Sequence, residues 1–217
     1  MSLPFYVPPE QQVREKAEFA RKGIARGRSI LAIEFADGVL LLAENPSNAL
    51  RKISEVYDRI AFAGVGRYNE FETLRKAGIR QADLMGYLYS RDDVNAQALA
   101  TMFSEALGAI FSREPKPYEV EVLIAEVGPP NRLFRVTYDG TLNDERQVAA
   151  IGGKAEALVE YLRQHWKDGL TLAAALELGK NAFSTVEGRE PEGWEAAVLD
   201  RQNGRRAFRR LLPEEIH

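Results

Sequence analysis

The stretch that decides the fold is Gly27-Arg-Ser-Ile-Leu-Ala-Ile-Glu-Phe-Ala-Asp-Gly-Val-Leu-Leu-Leu-Ala-Glu44. Its two apolar parts, residues 29–35 and 39–43, have the composition of β-strands. Ala36-Asp37-Gly38 lies between them and contains an Asp-Gly pair, which is typical of tight hairpin turns. The stretch therefore predicts a β-hairpin near the start of the chain.

A helix is predicted ahead of this hairpin, over residues 10–26. Pro8 and Pro9 suit a helix start, and either Gly23 or Gly27 suits its end. Apolar residues recur at helical spacing along it, namely Val13, Ala17, Ala20 and Ile24. This stripe could pack on the chain's own core or on a neighbouring subunit, and the sequence leaves both open.

After the hairpin, strands and helix pairs alternate in groups. The predicted elements are a third strand led into by residues 52–63 and ending at Gly64-Val65-Gly66, helices over 68–89 and from Asp92-Asp93 to Pro115, strands over 118–127, 133–138 and 147–151, helices over 154–166 and 170–186, and a terminal hairpin of 194–199 and 206–212 across Asn203-Gly204. Strands and helices do not alternate singly, so a doubly wound parallel sheet is not expected. The order predicts an α+β fold with stacked antiparallel sheets and helices outside.

Composition excludes several classes of protein. The chain has 217 residues, 45% of them apolar, which suits one folded domain. The formal net charge of -3 argues against a nucleic-acid or anionic-membrane binder, so neither partner is expected. There are no cysteines and two histidines, so no disulfide, metal site or cofactor is predicted. The sequence has no recognisable targeting segment or membrane span, and a cytoplasmic location is expected.

Short motifs in the chain resemble known catalytic or nucleotide-binding signatures but lack residues that those signatures require. Gly64-Val65-Gly66 lacks the third glycine of a dinucleotide fingerprint, because Asn69 stands there. Gly152-Gly153-Lys154 lacks the remaining residues of a phosphate loop. His165 falls within a predicted helix and is interpreted as a surface or core residue. None of these motifs is assigned a chemical role.

The first third of the chain resembles the actinobacterial proteasome α-subunit family. The resemblance is carried by the opening hairpin, the helix before it, Lys52-Ile53 and Gly64-Val65-Gly66. The similarity extends through Pro115 to Val120, Thr137 to Gly140, and Arg205 to Arg210, and so spans nearly the whole chain. The resemblance implies a four-layer αββα sandwich of the N-terminal-nucleophile hydrolase type. It also implies a gate segment over residues 1–9 and a single domain over 10–217.

The family's protease subunits use an N-terminal threonine, whose own amine serves as the base. Here that place falls on Arg28, followed by Ser29, both inside the chain. The first threonine is Thr73, so cleavage before any threonine would remove the whole opening hairpin. A non-catalytic subunit of a threonine endopeptidase complex is therefore expected. The alternative is an active peptidase processed before Ser29.

The resemblance also implies partners and binding residues. It predicts a seven-membered homo-oligomeric ring that stacks on proteasome β-type subunits and receives unfolded or tagged proteins from a ring-shaped ATPase activator. Lys52, Gly66 and Gly27 match the pocket that takes the activator's C-terminal tail, where a lysine suits a carboxylate. The gate residues are Ser2, Leu3, Pro4, Phe5, Tyr6, Val7 and Pro8.

Overall fold

The computed structural model describes residues 8–47 and 49–216. The predicted opening hairpin is confirmed. Strands β1 (Ile30–Phe35) and β2 (Gly38–Glu44) pair antiparallel from Ile30 opposite Ala43 to Phe35 opposite Gly38. Gly38 is needed here because a Cβ at this position would lie 1.8 Å from the carbonyl oxygen of Leu199 on a neighbouring strand.

Within the residues that the structure describes, ten strands form two five-stranded sheets, and all neighbouring strands pair antiparallel. The remaining strands are β3 (Ile53–Tyr57), β4 (Ile60–Gly66), β5 (Val120–Glu126), β6 (Arg132–Val136), β7 (Leu142–Glu145), β8 (Val148–Ile151), β9 (Trp194–Asp200) and β10 (Phe208–Arg210). The first sheet has the order β10-β9-β2-β1-β8 and the second the order β3-β4-β5-β6-β7.

Helix pairs cover the outer faces of the two sheets. The helices are α1 (Pro9–Ala25), α2 (Tyr68–Leu88), α3 (Ala96–Arg113), α4 (Ala155–His165), α5 (Leu172–Glu187) and α6 (Pro213–Ile216). One apolar cluster joins the first sheet to α4 and α5, a second joins the other sheet to α2 and α3, and a third fills the space between the sheets. The four-layer αββα sandwich predicted from the sequence is therefore confirmed.

Helix α1 belongs to neither pair and lies against the end of the sandwich. Its Ala20 and Ile24 are buried among residues of both sheets, in the core between them. Ala17 packs against the same core, whereas Val13, near the N-terminus of the helix, is 52% exposed. Phe19, which lies outside the stripe, is 44% exposed. Most of the stripe thus packs on the chain's own core, and α1 also presents two large apolar side chains to solvent.

Several predicted elements were wrong in detail. The segment 52–66 is a hairpin of β3 and β4, not one strand, and its turn, Asp58-Arg59, lacks the glycine that follows aspartate in the opening hairpin. Residues 142–145 form the edge strand β7, and 213–216 form α6, and neither was predicted. The cap of α3 is Asn95, whose Oδ1 accepts from the Ala98 amide at 2.9 Å, rather than Asp92-Asp93, which lies in a 3-10 turn. The terminal hairpin is present, with a shorter second strand.

Among the described residues, no helix combines the length and the apolar character that crossing a bilayer requires.

Candidate functional site

Lys52 lies immediately before β3 and reaches across the open end of the β1–β2 hairpin. Its Nζ donates hydrogen bonds to the carbonyl oxygens of Arg28 at 3.0 Å and Glu44 at 3.1 Å. Arg28 precedes β1 and Glu44 ends β2, so one side chain ties the second sheet to both strands of the hairpin. The Lys52 carbonyl also accepts from the Gly64 amide at 3.1 Å, which links the same residue to β4.

The two candidate pocket glycines lie beside this lysine and beside each other. A Cβ on Gly27 would lie 2.6 Å from Cγ1 of Val65 and 3.3 Å from the amide nitrogen of Gly66. Gly66 has a φ of +112°, and a Cβ there would lie 1.8 Å from the carbonyl oxygen of Glu119. Close approach of the chain's own backbone therefore already requires both glycines. Because Gly27 adjoins Arg28, the structure brings Lys52, Gly27 and Gly66 to one end of the sandwich.

A buried carboxylate, Glu44, holds the hairpin side of the site. It is 1% exposed and pairs with the guanidinium groups of Arg28 and Arg189, the latter at 2.8 and 2.9 Å. Its Oε1 also accepts from the Glu192 amide at 3.2 Å. Burial alone would raise the pKa of Glu44, but the Arg189 and Glu192 hydrogen bonds and the two arginine charges hold that pKa below its ordinary value. Glu44 therefore stays ionised and fixes the end of β2.

A second buried carboxylate, Glu195, holds the lysine's own backbone. It is 3% exposed and lies on β9 opposite Ala43 of β2. Its two oxygens accept four hydrogen bonds, from the Lys52 amide at 2.9 Å, the Ile53 amide at 3.1 Å, Asn45 Nδ2 at 2.7 Å and Arg210 NH1 at 3.0 Å. All the lone pairs that point into the protein are thus used.

The Lys52 ammonium retains binding capacity. Burial lowers the pKa of Lys52, and the nearby positive charge of Arg28 lowers it further. The negative charges of Glu195 and Glu44 raise it, and the resulting pKa is about 8. An ammonium has three donors, and two of them go to backbone carbonyls. No other hydrogen bond from this ammonium is found within 8–47 and 49–216. Below about pH 8 the site can therefore offer a positive charge and an N–H to an incoming carboxylate.

The position of the expected nucleophile lacks the chemistry of one. Ser29 is 3% exposed and lies within the chain, so its nitrogen is an amide and not the free amine that would act as base. Lys52 Nζ contacts the carbonyl of Arg28, which is the peptide bond that processing before Ser29 would have to cut. Thr73 lies within α2, where its hydroxyl donates to the Asn69 carbonyl at 2.8 Å. Within the described residues, neither Ser29 nor Thr73 is therefore placed as an N-terminal nucleophile.

Of the other candidates from the sequence, the structure describes Pro8 and His165. Ser2, Leu3, Pro4, Phe5, Tyr6 and Val7 fall outside the described residues. Pro8 immediately precedes α1, and its carbonyl accepts from the amides of Gln11 and Gln12 at 3.0 and 3.1 Å. His165 is exposed at the end of α4 and stacks on Tyr161.

A cleft of about 790 Å³ is found on the other side of α1's last turn, where Arg21, Ile24, Tyr138 and residues 152–157 contribute to its lining. Lys52, Gly27 and Gly66 are not among the residues that line it. The candidate site is therefore not part of this cleft.

Sequence reasoning missed Glu44, Arg189 and Glu195. The signal for Glu195 is a single carboxylate in the otherwise apolar run Trp194-Glu-Ala-Ala-Val-Leu199, since a buried strand tolerates a charge only where partners compensate it. Arg210, which compensates the charge, follows 15 residues later on β10. The other three donors, Asn45 and the Lys52 and Ile53 amides, are more than 140 residues away along the chain, and the pairing of β2 with β9 brings that region close.

Comparison with known proteins shows which family the chain is similar to. The family model described as "Proteasome subunit" matches residues 24–199. A "Proteasome subunit alpha" of Thermomonospora curvata is 51% identical over 222 aligned residues, covering 100% of this chain and 96% of the relative. Proteins with the same name from Paenarthrobacter aurescens and Streptosporangium roseum are 49% and 52% identical, covering 100% and 97% of this chain and 97% and 84% of the relatives.

Proposed function

The chain belongs to the actinobacterial proteasome α-subunit family, and from that premise we propose that it is a non-catalytic, gating subunit of the proteasome core. It forms a seven-membered outer ring, stacks on a ring of β-type subunits that carry the peptidase activity, and admits unfolded or tagged proteins delivered by a ring-shaped ATPase in the cytoplasm. The observation that carries the non-catalytic role is the packing of α1, directly before β1, into the core between the sheets.

Helix α1 supports this role because the fold depends on it. Burying Ile24 alone stabilises the protein by roughly 1.5–3 kcal/mol. Lys16 Nζ donates to the carbonyls of Phe111 at 3.1 Å and Glu114 at 2.7 Å, which satisfies the C-terminal end of α3. The alternative, a peptidase processed before Ser29, would lose all of these contacts. A mature species that begins at Ser29 is the observation that would favour this alternative.

Exposed apolar groups support assembly into rings. Besides Val13 and Phe19 on α1, the last turns of α2 expose large side chains, namely Leu84 at 50%, Tyr87 at 87%, Leu88 at 59% and Tyr89 at 75%. Such clustered exposure is uncommon on a monomer and is typical of subunit contacts. A subunit that contacts both its ring neighbours and a second ring needs more than one such surface.

Lys52 is the residue we propose for docking of the activator. Its remaining N–H and its charge suit the terminal carboxylate of an activator tail, and the backbone carbonyls of Arg28 and Glu44 hold the ammonium in place. Gly27 and Gly66 lie at the same end of the sandwich, where the chain's own atoms pack closely against both. In a ring, the neighbouring subunit would complete the pocket around this site.

Deleting Ser2 to Pro8 should increase hydrolysis of small peptides by the assembled particle, since this segment is proposed to restrict the axial pore. We expect a rise of several-fold without activator, measured with a fluorogenic peptide on purified particles at equal concentration. Pro9 remains to start α1, so the helix is retained. Unchanged hydrolysis in a correctly assembled particle would remove the gate assignment while leaving the fold untouched.

A further inference from the structure

We infer that Glu195 is the positioning residue of the proposed docking site: it holds Lys52 at the mouth of the β1–β2 hairpin and keeps its ammonium charged. The inference rests on the proposed role of Lys52 in docking. Glu195 itself is buried and is not expected to contact the activator.

The first part of this role is mechanical. Glu195 accepts hydrogen bonds from the amides of Lys52 and Ile53, so its carboxylate grips the backbone at the point where β3 begins. Arg210 reinforces the same grip, because its guanidinium bonds Glu195 at 3.0 Å and the Ile53 carbonyl at 2.7 Å. The backbone of Lys52 is thereby fixed to β9, and from that position the ammonium reaches the carbonyls of Arg28 and Glu44 on the hairpin.

The second part is electrostatic. The charged groups that face Lys52 are Glu195 on β9, Arg28 ahead of β1 and Glu44 at the end of β2. The charge of Glu44 is shared with Arg28 and Arg189, and Arg28 also pairs with Glu192 at 2.7 Å. After burial, the charge of Glu195 is the largest influence on the pKa of Lys52, and it raises that pKa. Without Glu195, burial and the charge of Arg28 would therefore lower the pKa of Lys52 further.

A carboxylate is required for this role, and an amide cannot replace it. Four donors meet the two oxygens of Glu195, two on each oxygen. A glutamine would present one NH₂ group to two of these donors, which leaves them unpaired, and would carry no charge. Aspartate would keep the charge but would shorten the reach by one methylene group. Comparing the two substitutions therefore separates the effect of the negative charge from the effect of the hydrogen bonds that hold the Lys52 backbone.

The test compares the pH dependence of activator-stimulated degradation in particles carrying Glu195→Gln, Glu195→Asp and a control. Stimulation is expressed at each pH as the ratio of stimulated to unstimulated hydrolysis by the same particle, so the pH dependence of the β-type subunits cancels. Docking needs protonated Lys52, so the wild-type ratio should fall as the pH rises through about 8. Glu195→Gln should move this midpoint to lower pH by roughly half a unit to one unit.

The matched control is Glu126→Gln, which also removes a buried carboxylate that bonds a backbone amide. Glu126 is 9% exposed and accepts from the Ala96 amide at 3.0 Å. It pairs with Ile60 at the far end of β4 from Gly64, about 13 Å along the strand. The pH midpoint of stimulation in the Glu126→Gln particle should equal that of the wild type. Glu195→Asp should weaken stimulation at every pH while leaving the midpoint within about 0.3 unit of the wild-type value.

The possible outcomes separate the inference from the function on which it rests. If Lys52→Ala has no effect on stimulation, docking at Lys52 is wrong. If Lys52→Ala abolishes stimulation but Glu195→Gln keeps the wild-type midpoint, the role of Glu195 is wrong and docking at Lys52 stands. If Glu195→Gln does not assemble, Glu195→Asp decides, because wild-type stimulation at every pH in that variant contradicts a positioning role.

Discussion

Replacing Lys52 by alanine is expected to lower activator-stimulated protein degradation about 10- to 100-fold. A hydrogen bond between charged groups contributes about 1.5–3 kcal/mol, which corresponds to this range in a binding constant. The loss should appear as weaker activator binding and lower stimulated degradation of an unfolded protein by the fully assembled particle. Unstimulated hydrolysis of a small peptide should be unchanged, because we propose that the β-type subunits perform that reaction.

The matched control for this substitution is Lys154→Ala. Lys154 resembles Lys52 in donating to a backbone carbonyl, that of Val186 at 2.9 Å, but it lies at the start of α4. Stimulation should persist in this variant. Equal stimulation in wild type, Lys52→Ala and Lys154→Ala would show that the tail binds elsewhere. An equal loss in both variants would point to general destabilisation of the ring.

Replacing Gly66 by alanine is expected to destabilise the subunit by about 3 kcal/mol or more. The added Cβ would meet the Glu119 carbonyl oxygen at 1.8 Å, and that oxygen belongs to backbone that cannot rotate away. Overpacking of this kind costs about 1–3 kcal/mol, and the positive φ of +112° adds the strain of a conformation that alanine rarely adopts. The measurement is urea unfolding of the isolated chain, with the yield of assembled rings as a second readout.

Gly188→Ala provides the control for the effect of positive φ alone. Gly188 ends α5 with φ of +68°, and a Cβ there would meet no atom within 4 Å. This substitution should therefore cost only about 1 kcal/mol. Similar costs at both positions would mean that Gly66 is retained for its conformation and that the contact with Glu119 is unimportant.

The sequence predicted the architecture well because local signals agree with the fold. The Asp-Gly turn before β2 and the apolar runs around it identify the opening hairpin, and the grouping of strands and helix pairs identifies the layers. The turn at Asp58-Arg59 is not predicted because the aspartate is not followed by glycine, so the pair that marks a tight hairpin turn is absent. Asp58 there pairs with Arg91 and Arg205, which are distant in sequence. Such turns depend on tertiary contacts that no local pattern records.

The site was predictable only in part. Lys52, Gly27 and Gly66 were named from the family resemblance, since an isolated lysine at a strand start has no distinctive pattern. The positive φ of Gly66 and its closeness to Glu119 depend on the pairing of β4 with β5. Glu195 reaches Lys52 through the pairing of β2 with β9. Each of these relations joins segments that are distant along the chain, so they follow from topology and not from local composition.

The central claim, a non-catalytic α-type subunit of a ring assembly, is tested most directly by native mass spectrometry. The chain is measured alone and after co-production with its β-type partner, and the complex is then dissociated to give the mass of each subunit. We predict rings of seven copies that join the β-type rings, with every copy retaining the residues ahead of Ser29. A stable monomer that does not join the partner, or a peptidase-active species beginning at Ser29, would contradict the claim.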